Sequence, residues 1–190
     1  MSQLPRVLGN RLVASTRIFR VEELELAFAN GERRTYERLL GGPRGAVLVV
    51  PRLDSDTLLL IREYAAGSGR YELAFPKGRV ELNEGILEAA AREIREETGY
   101  GARRLELLRS VSLAPGYIQH HTHLILARDL FRSPLPGDEP EPIELVPWRL
   151  DALDELLARD DFSESRSLLA LFLAVRDLER DASHPFEPTP

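Results

Sequence analysis

The sequence predicts an α+β fold, a mixed-sheet sandwich of sheet and helix, and three observations carry that prediction. Apolar runs of strand length crowd the first half of the chain, a strongly amphipathic helix follows them, and further strands then give way to two closing helices. Strands and helices do not alternate one for one, which argues against a doubly wound parallel sheet.

The first forty residues read as β structure. Leu24, Leu26 and Phe28 alternate with polar neighbours, Asn30-Gly31 supplies two residues that tolerate positive φ, and the chain returns through Arg33–Leu39 as a hairpin. Apolar runs at Gly45–Pro51 and Thr57–Tyr64 flank the polar turn Asp54-Ser55-Asp56, and Tyr71–Phe75 leads into Pro76-Lys77-Gly78. A helix is expected over Glu84–Thr98. Asn83 is its N-cap, Glu84 and Glu88 suit the positive end of its dipole, and Gly99 is the residue past its C-terminus. Leu87, Ala90, Ala91 and Ile94 form the stripe expected to face a sheet. Strands Leu105–Leu113 and Thr122–Ala127 come next, then the acidic Pro/Gly loop Ser133–Pro142 and a strand through Trp148. Helices over Asp151–Ala158 and Ser163–Leu178 close the chain, the second burying Leu168, Leu171, Phe172 and Val175. This divides the chain into an N-terminal β segment (1–42), a main domain (43–180) and a loose tail (181–190).

Composition narrows the function. A chain of 190 residues, 43% apolar and 29% charged, supports one well-buried core. Its net charge of −6 offers no general attraction to nucleic acid or anionic lipid, so anionic phosphates would need cations at the site itself. There are no cysteines, which excludes disulfides and thiolate metal sites and points to a reducing cytoplasm. Neither a signal peptide nor a membrane span is expected.

Glu93, Glu96 and Glu97 are placed awkwardly for a helix. Their spacing puts like charges on one face, in the last turns, where the dipole disfavours anions. Arg92 and Arg95 offset part of this cost, and a solvated face with ion pairs such as Glu88–Arg92 is the plain alternative. The wider spacing displaces that alternative. Gly78, five residues, Glu84, seven residues, then Arg92-Glu93-Ile94-Arg95-Glu96-Glu97-Thr98-Gly99-Tyr100 resembles the Nudix signature. All seven fixed residue types are in place, and only Tyr100 departs, at a bulky-aliphatic position. A chance match somewhere in the chain is on the order of one in a million.

The resemblance implies the Nudix fold, a mixed β-sheet in an α/β/α sandwich, and a pyrophosphohydrolase dependent on Mg2+ or Mn2+. Such ions prefer oxygen ligands, and they neutralise a diphosphate while acidifying bound water. By resemblance Glu93 and Glu97 are the principal metal ligands and Glu96 shares the cluster. By the same resemblance the backbone carbonyl of Lys77, just before the loop glycine, is the non-carboxylate ligand, and Arg92 and Glu84 hold the loop and a glutamate in place. Gly78 lets the loop approach the metals closely.

Outside the signature, Pro115 matches a proline of the ADP-ribose and ADP-compound pyrophosphatases. Residues 24–39, 60–78 and 137–142 resemble the bacterial ADP-compounds hydrolase branch, over roughly residues 8–178. That branch acts on ADP-ribose, diadenosine polyphosphates and NADH. Glu141 then becomes a metal ligand and Glu139 the catalytic base, with Glu96 and Glu97 beside it. The alternative for Gly137–Glu141 is a solvated acidic linker. Arg62 matches an arginine set against substrate phosphates, although an arginine at a strand end is as often an ion-pair partner. The branch also implies a homodimer, with the N-terminal hairpin either crossing to the other subunit or packing at home. Pro76-Lys77-Gly78 departs from the Ala-Gly of strict ADP-ribose pyrophosphatases and favours a broader ADP-linked substrate. Two other functions remain open, a hydrolase for another nucleoside-diphosphate sugar and a non-catalytic nucleotide sensor.

His120, His121 and His123 suggest a zinc site only weakly, since no further ligand has matching spacing. Tyr71 and Tyr117 suit either purine stacking or rim packing, and Trp148 reads as core.

Overall fold

The computed structural model describes residues 3–137 and 139–183. They fall into two compact units, one formed by the chain up to Gly45 with Ser112–His121, the other by Ala46–Val111 with the residues from Thr122 onward.

The first unit is one sheet. Strands β1 (Arg6–Ser15), β2 (Arg20–Ala27), β3 (Arg33–Leu40) and the short β9 (Ile118–Gln119) lie in the order β1-β2-β3-β9. The expected hairpin is β2–β3, with Leu24 opposite Tyr36. Its turn uses Gly31 at φ 87°, and the Asn30 side chain accepts a hydrogen bond from the Glu32 N–H at 3.1 Å. Alternation puts Glu22 on the same face as Leu24 and Leu26. Its carboxylate is buried there and satisfied by Asn10 (2.7 Å) and Arg38 (2.8 Å), which hold it below the usual carboxylate range.

The second unit carries two sheets. In the first, β7 (Lys77–Arg79), β4 (Ala46–Pro51), β10 (His121–Arg132) and β8 (Tyr100–Ser112) are neighbours in that order. β4 runs parallel to β10 and antiparallel to β7, so the sheet is mixed. In the second, β5 (Thr57–Ala65) lies between β11 (Glu144–Arg149) and β6 (Arg70–Ala74), antiparallel to both. Every residue of β4 is buried, because a central strand with both faces covered has no polar side. Val47 and Val49 pack with Ala89, Ala90 and Ile94 of helix α1 (Ile86–Thr98). Leu48 and Val50 belong to the other core, with Leu60, Leu73, Phe75, Phe162 and Leu171. That core is closed by helices α2 (Leu153–Leu157) and α3 (Ser165–Ser183). The class is α+β.

Several boundaries differ from expectation. Helix α1 starts two residues late, with Gly85 rather than Asn83 at its N-cap. Glu88 reaches back to the Gly85 N–H at 2.8 Å, while Glu84 stays outside the helix in the grip of Arg92. The buried stripe is also rotated. It runs through Ala89, Ala90, Glu93, Ile94 and Glu97, and Leu87 is exposed, because two glutamates take places that hydrophobicity alone assigns to apolar residues. On α3, Ser167, Ala170, Leu171 and Ala174 are buried and Phe172 faces out. Small residues form that stripe because the helix lies close to β4. The helix expected over Asp151–Ala158 is a 3-10 turn (Leu150–Ala152) followed by α2, with the Trp148 indole donating to the Ala152 carbonyl at 2.9 Å. β8 and β10 extend beyond the apolar runs that announced them, and α3 continues into the expected tail as far as Ser183. The rest of that tail, and Asp138, lie outside the described residues.

Candidate active site

The site is assembled where β7 passes α1. Pairing of Val47 with Gly78 fixes β7 on the edge of the mixed sheet, and the apolar stripe seats α1 on that sheet. Glu93 and Glu97 lie at the border of the stripe, only 8% and 7% exposed. A Cβ on Gly78 would collide with the Glu93 carboxylate, so a side chain cannot be accommodated there without moving one of them. Gly99 ends the helix at φ 73°, its N–H donating to the Arg95 carbonyl.

Arg92 organises the carboxylates. Its Nε and Nη2 grip Glu84 as a fork at 2.9 and 3.0 Å, and its Nη1 reaches Glu93 and Glu96 at 2.8 Å each. Nη2 also donates to the Arg79 carbonyl, tying β7 to the helix. Glu84 is held below its ordinary range, chiefly by Arg92. Burial pushes Glu93 up, with Arg92 opposing. Burial pushes Glu97 further, to about 8, against the Lys77 charge and the Lys77 N–H that reaches its carboxylate at 3.1 Å. Lys77 Nζ itself pairs with Glu63 at 3.0 Å.

The acidic loop is fastened to this helix. The Leu135 N–H donates to the Arg95 carbonyl, the Ser133 N–H to the Gly99 carbonyl, and Arg95 Nε to the Ser133 carbonyl. Gly137 sits beside a carboxylate oxygen of Glu139, which a side chain there would displace. These bonds hold Ser133 and Leu135 and leave Gly137 and Glu141 exposed. They carry Glu139 to a polar cavity of about 460 Å³ that it shares with Lys77, Arg92, Glu93, Glu96 and Glu97. A second cavity of about 450 Å³, lined by Glu96, Glu97, Glu139, Glu141 and Arg132, opens beside it. Glu141 accepts a hydrogen bond from the Tyr71 hydroxyl at 2.6 Å, and the Tyr71 ring meets Tyr64 edge to face at 5.6 Å. Among the described residues no three His, Asp or Glu side chains already form an ion cage. Arg92 engages Glu93 and Glu96, and Tyr71 engages Glu141, so these three donors share cavities while facing protein partners.

Other expected residues lie elsewhere. Arg62 pairs with Asp161 at 2.6 Å and Glu144 at 3.1 Å, on the opposite face of β5 from Glu63. Arg159 and Arg62 together hold Asp161 far below the usual range. Pro115 and Tyr117 line a cavity of about 340 Å³ within the first unit, together with His120 and His121. His123 instead meets the Ser110 hydroxyl at 2.7 Å, so the three histidines form no zinc cluster. The sequence reading passed over Glu63 and the Lys77 side chain. The available signal was alternation in β5, which sets Glu63 opposite Arg62.

Comparison with known proteins agrees with this geometry. The NUDIX domain model matches residues 42–172, and that of the NudE-type Nudix hydrolase N-terminal domain matches residues 5–38. The chain is 46% identical to the ADP compounds hydrolase NudE of Escherichia coli (strain K12), over 90% of this chain and 91% of that protein. It is 26% identical to the ADP-ribose pyrophosphatase of Bacillus subtilis (strain 168), over 83% and 84%, and 28% identical to the ADP-sugar pyrophosphatase of Mus musculus, over 95% and 90%. A crystal structure of an ADP compounds hydrolase superposes with a TM-score of 0.90 at 44% identity, covering 95% of this chain and 97% of that one. With signature, fold and full-length relatives in agreement, the chain belongs to the Nudix hydrolase family.

Proposed function

We propose that this chain hydrolyses the diphosphate bond of ADP-linked nucleotides such as ADP-ribose, diadenosine polyphosphates and NADH, giving AMP and a phosphorylated product. The observation that carries the reading is the convergence of Glu93, Glu96, Glu97 and Glu139 on one polar cavity with Lys77 and Arg92. The names of three of the relatives, an ADP compounds hydrolase, an ADP-ribose pyrophosphatase and an ADP-sugar pyrophosphatase, support the substrate class.

The donors suit Mg2+ (or Mn2+), since they are all oxygens. A buried Glu97 whose ionised form is disfavoured is also what a cation would relieve. Glu93, Glu96, Glu97 and Glu141, with the Lys77 carbonyl, would hold it. A bound divalent ion supplies charge neutralisation of the diphosphate and an acidified water. Glu139 takes the proton of the attacking water as the new P–O bond forms and the bridging P–O bond breaks. Arg92 keeps Glu84, Glu93 and Glu96 in place while Gly78 keeps β7 close. The retained glutamates disfavour a non-catalytic sensor.

No helix among the described residues is long and apolar enough to cross a membrane. With the absence of cysteine, this supports a cytoplasmic protein, and the exposed apolar edge of the first unit supports a homodimer. The test is phosphate release with Mg2+ and Mn2+ over ADP-ribose, diadenosine triphosphate, NADH, GDP-mannose and nucleoside triphosphates. Turnover of the ADP-linked compounds above the rest is expected. A preference for GDP-mannose would replace the substrate class, and no turnover of any would overturn the enzyme.

A further inference from the structure

Two cavities of the second unit share a wall, one polar and one mainly apolar. Glu63 and Lys77 line the carboxylate cavity, and they also line a neighbouring cavity of about 410 Å³ bounded by Tyr64, Glu72, Ser163 and Glu164. Lys77 Nζ, bonded to Glu63 at 3.0 Å, therefore stands at the junction.

The cations around the carboxylate cavity are not equivalent. Arg92 is committed by five hydrogen bonds to Glu84, Glu93, Glu96 and the Arg79 carbonyl, and releasing it would dismantle the cluster. Lys77 is held by one ion pair to a carboxylate that is 41% exposed, and such pairs contribute little. An ammonium on a flexible stem changes partner at low cost, whereas a forked guanidinium does not. Glu63 also adds negative charge where the substrate's anionic bridge would arrive, which favours a cation poised to meet it.

We propose that Lys77 is a substrate-binding, specificity-determining residue. Its ammonium leaves Glu63 for the substrate's diphosphate at the junction, while one organic half of the substrate occupies the cavity of Tyr64, Glu72 and Ser163. Glu63 is the resting partner that competes with the phosphate. This rests on the hydrolase reading above for its substrate, and it concerns the Lys77 side chain rather than its carbonyl.

The test uses the full chain with Mg2+, measuring kcat and KM for ADP-ribose and, by calorimetry, the affinity for its non-hydrolysable methylene-bridged analogue. Lys77→Met is expected to raise both KM and the analogue's Kd about tenfold, with a smaller change in kcat. Lys77→Arg recovers part of that loss, and Glu63→Gln, by freeing the ammonium, tightens binding. In the double variant the Glu63 effect disappears. Mn2+ affinity of Lys77→Met stays at or above the wild-type value, since the main-chain carbonyl is untouched. Unchanged Kd and KM in Lys77→Met would overturn the proposal. So would a parallel fall in Mn2+ affinity, which would place the effect in the backbone. A wild type that binds the analogue but hydrolyses no ADP-linked compound would defeat the hydrolase reading alone.

Discussion

Glu97 combines burial, negative charge and only partial compensation, and that combination makes its ionisation a stability statement. Its carboxyl titrates near 8 in the folded chain, against an ordinary value of 4.5 when unfolded. A folded pKa raised in this way leaves stability intact below about 4.5 and removes it as pH climbs towards 8. Glu93 acts in the same direction, whereas Glu84 and Asp161, held low by arginines, lose their contribution at the acid end. In EDTA, the wild type should therefore lose denaturation midpoint relative to Glu97→Gln between pH 5 and pH 8, and Mg2+ should close the gap. Parallel curves would remove the burial argument. The same Glu97→Gln variant should lose turnover by about a hundredfold or more while remaining folded, and normal turnover would sink the metal-site assignment. Glu139 differs, because it reaches the cavity from a loop fastened to the helix end. Glu139→Gln is expected to cut kcat by about 10²–10⁴ with little change in Mn2+ affinity. If the rate holds, the base is another carboxylate, Glu96 first.

Helix α1 and strand β7 work as a pair, and glycines set their spacing. An alanine at Gly99 finds its nearest neighbour, an Arg132 nitrogen, at 3.4 Å, so the penalty is that of the left-handed backbone, about 1 kcal/mol. At Gly78 the backbone φ is ordinary, and the obstacle is the Glu93 carboxylate. Gly99→Ala should thus lower the denaturation midpoint and spare turnover, whereas Gly78→Ala should abolish turnover with a smaller loss of stability. Equal effects of the two on activity would mean that Gly78 is needed only for the turn. These elements also show what a sequence can express. The signature spacing located Gly78, Glu84, Arg92 and the three glutamates, because one helix and one adjoining turn bring them together. The rotation of α1 escapes a hydropathy stripe because Glu93 and Glu97 are buried at positions that such a stripe leaves to solvent. The Arg62 ion pairs and the Lys77–Glu63 contact depend on how β5 meets other segments, including residues about a hundred positions away, so alternation gives the face of each side chain but not its partner.

At the scale of the whole molecule, the first unit presents an uncovered sheet edge. Strand β1 is the outermost of its sheet, ten residues long, with Val7 56% and Leu12 54% exposed and Ile18 and Phe19 exposed at its turn. Long apolar edges invite pairing with another chain, and proteins usually blunt them with charge, proline or cover. β1 has two register shifts against β2, which bend it, and Arg6 and Arg11 for charge, yet its apolar residues remain uncovered. A second copy meeting the same edge about a twofold axis would cover both edges at once. The chain is therefore expected to sediment as a dimer at micromolar concentration. Val7→Glu with Leu12→Glu should shift it to monomer, because paired like charges at a twofold edge repel and the apolar contact is lost. Both positions are solvent-facing in the single chain, so the variant should keep its far-UV circular dichroism. A wild type that sediments as a monomer would defeat the edge argument outright, and a variant that stays dimeric would place the interface on another face.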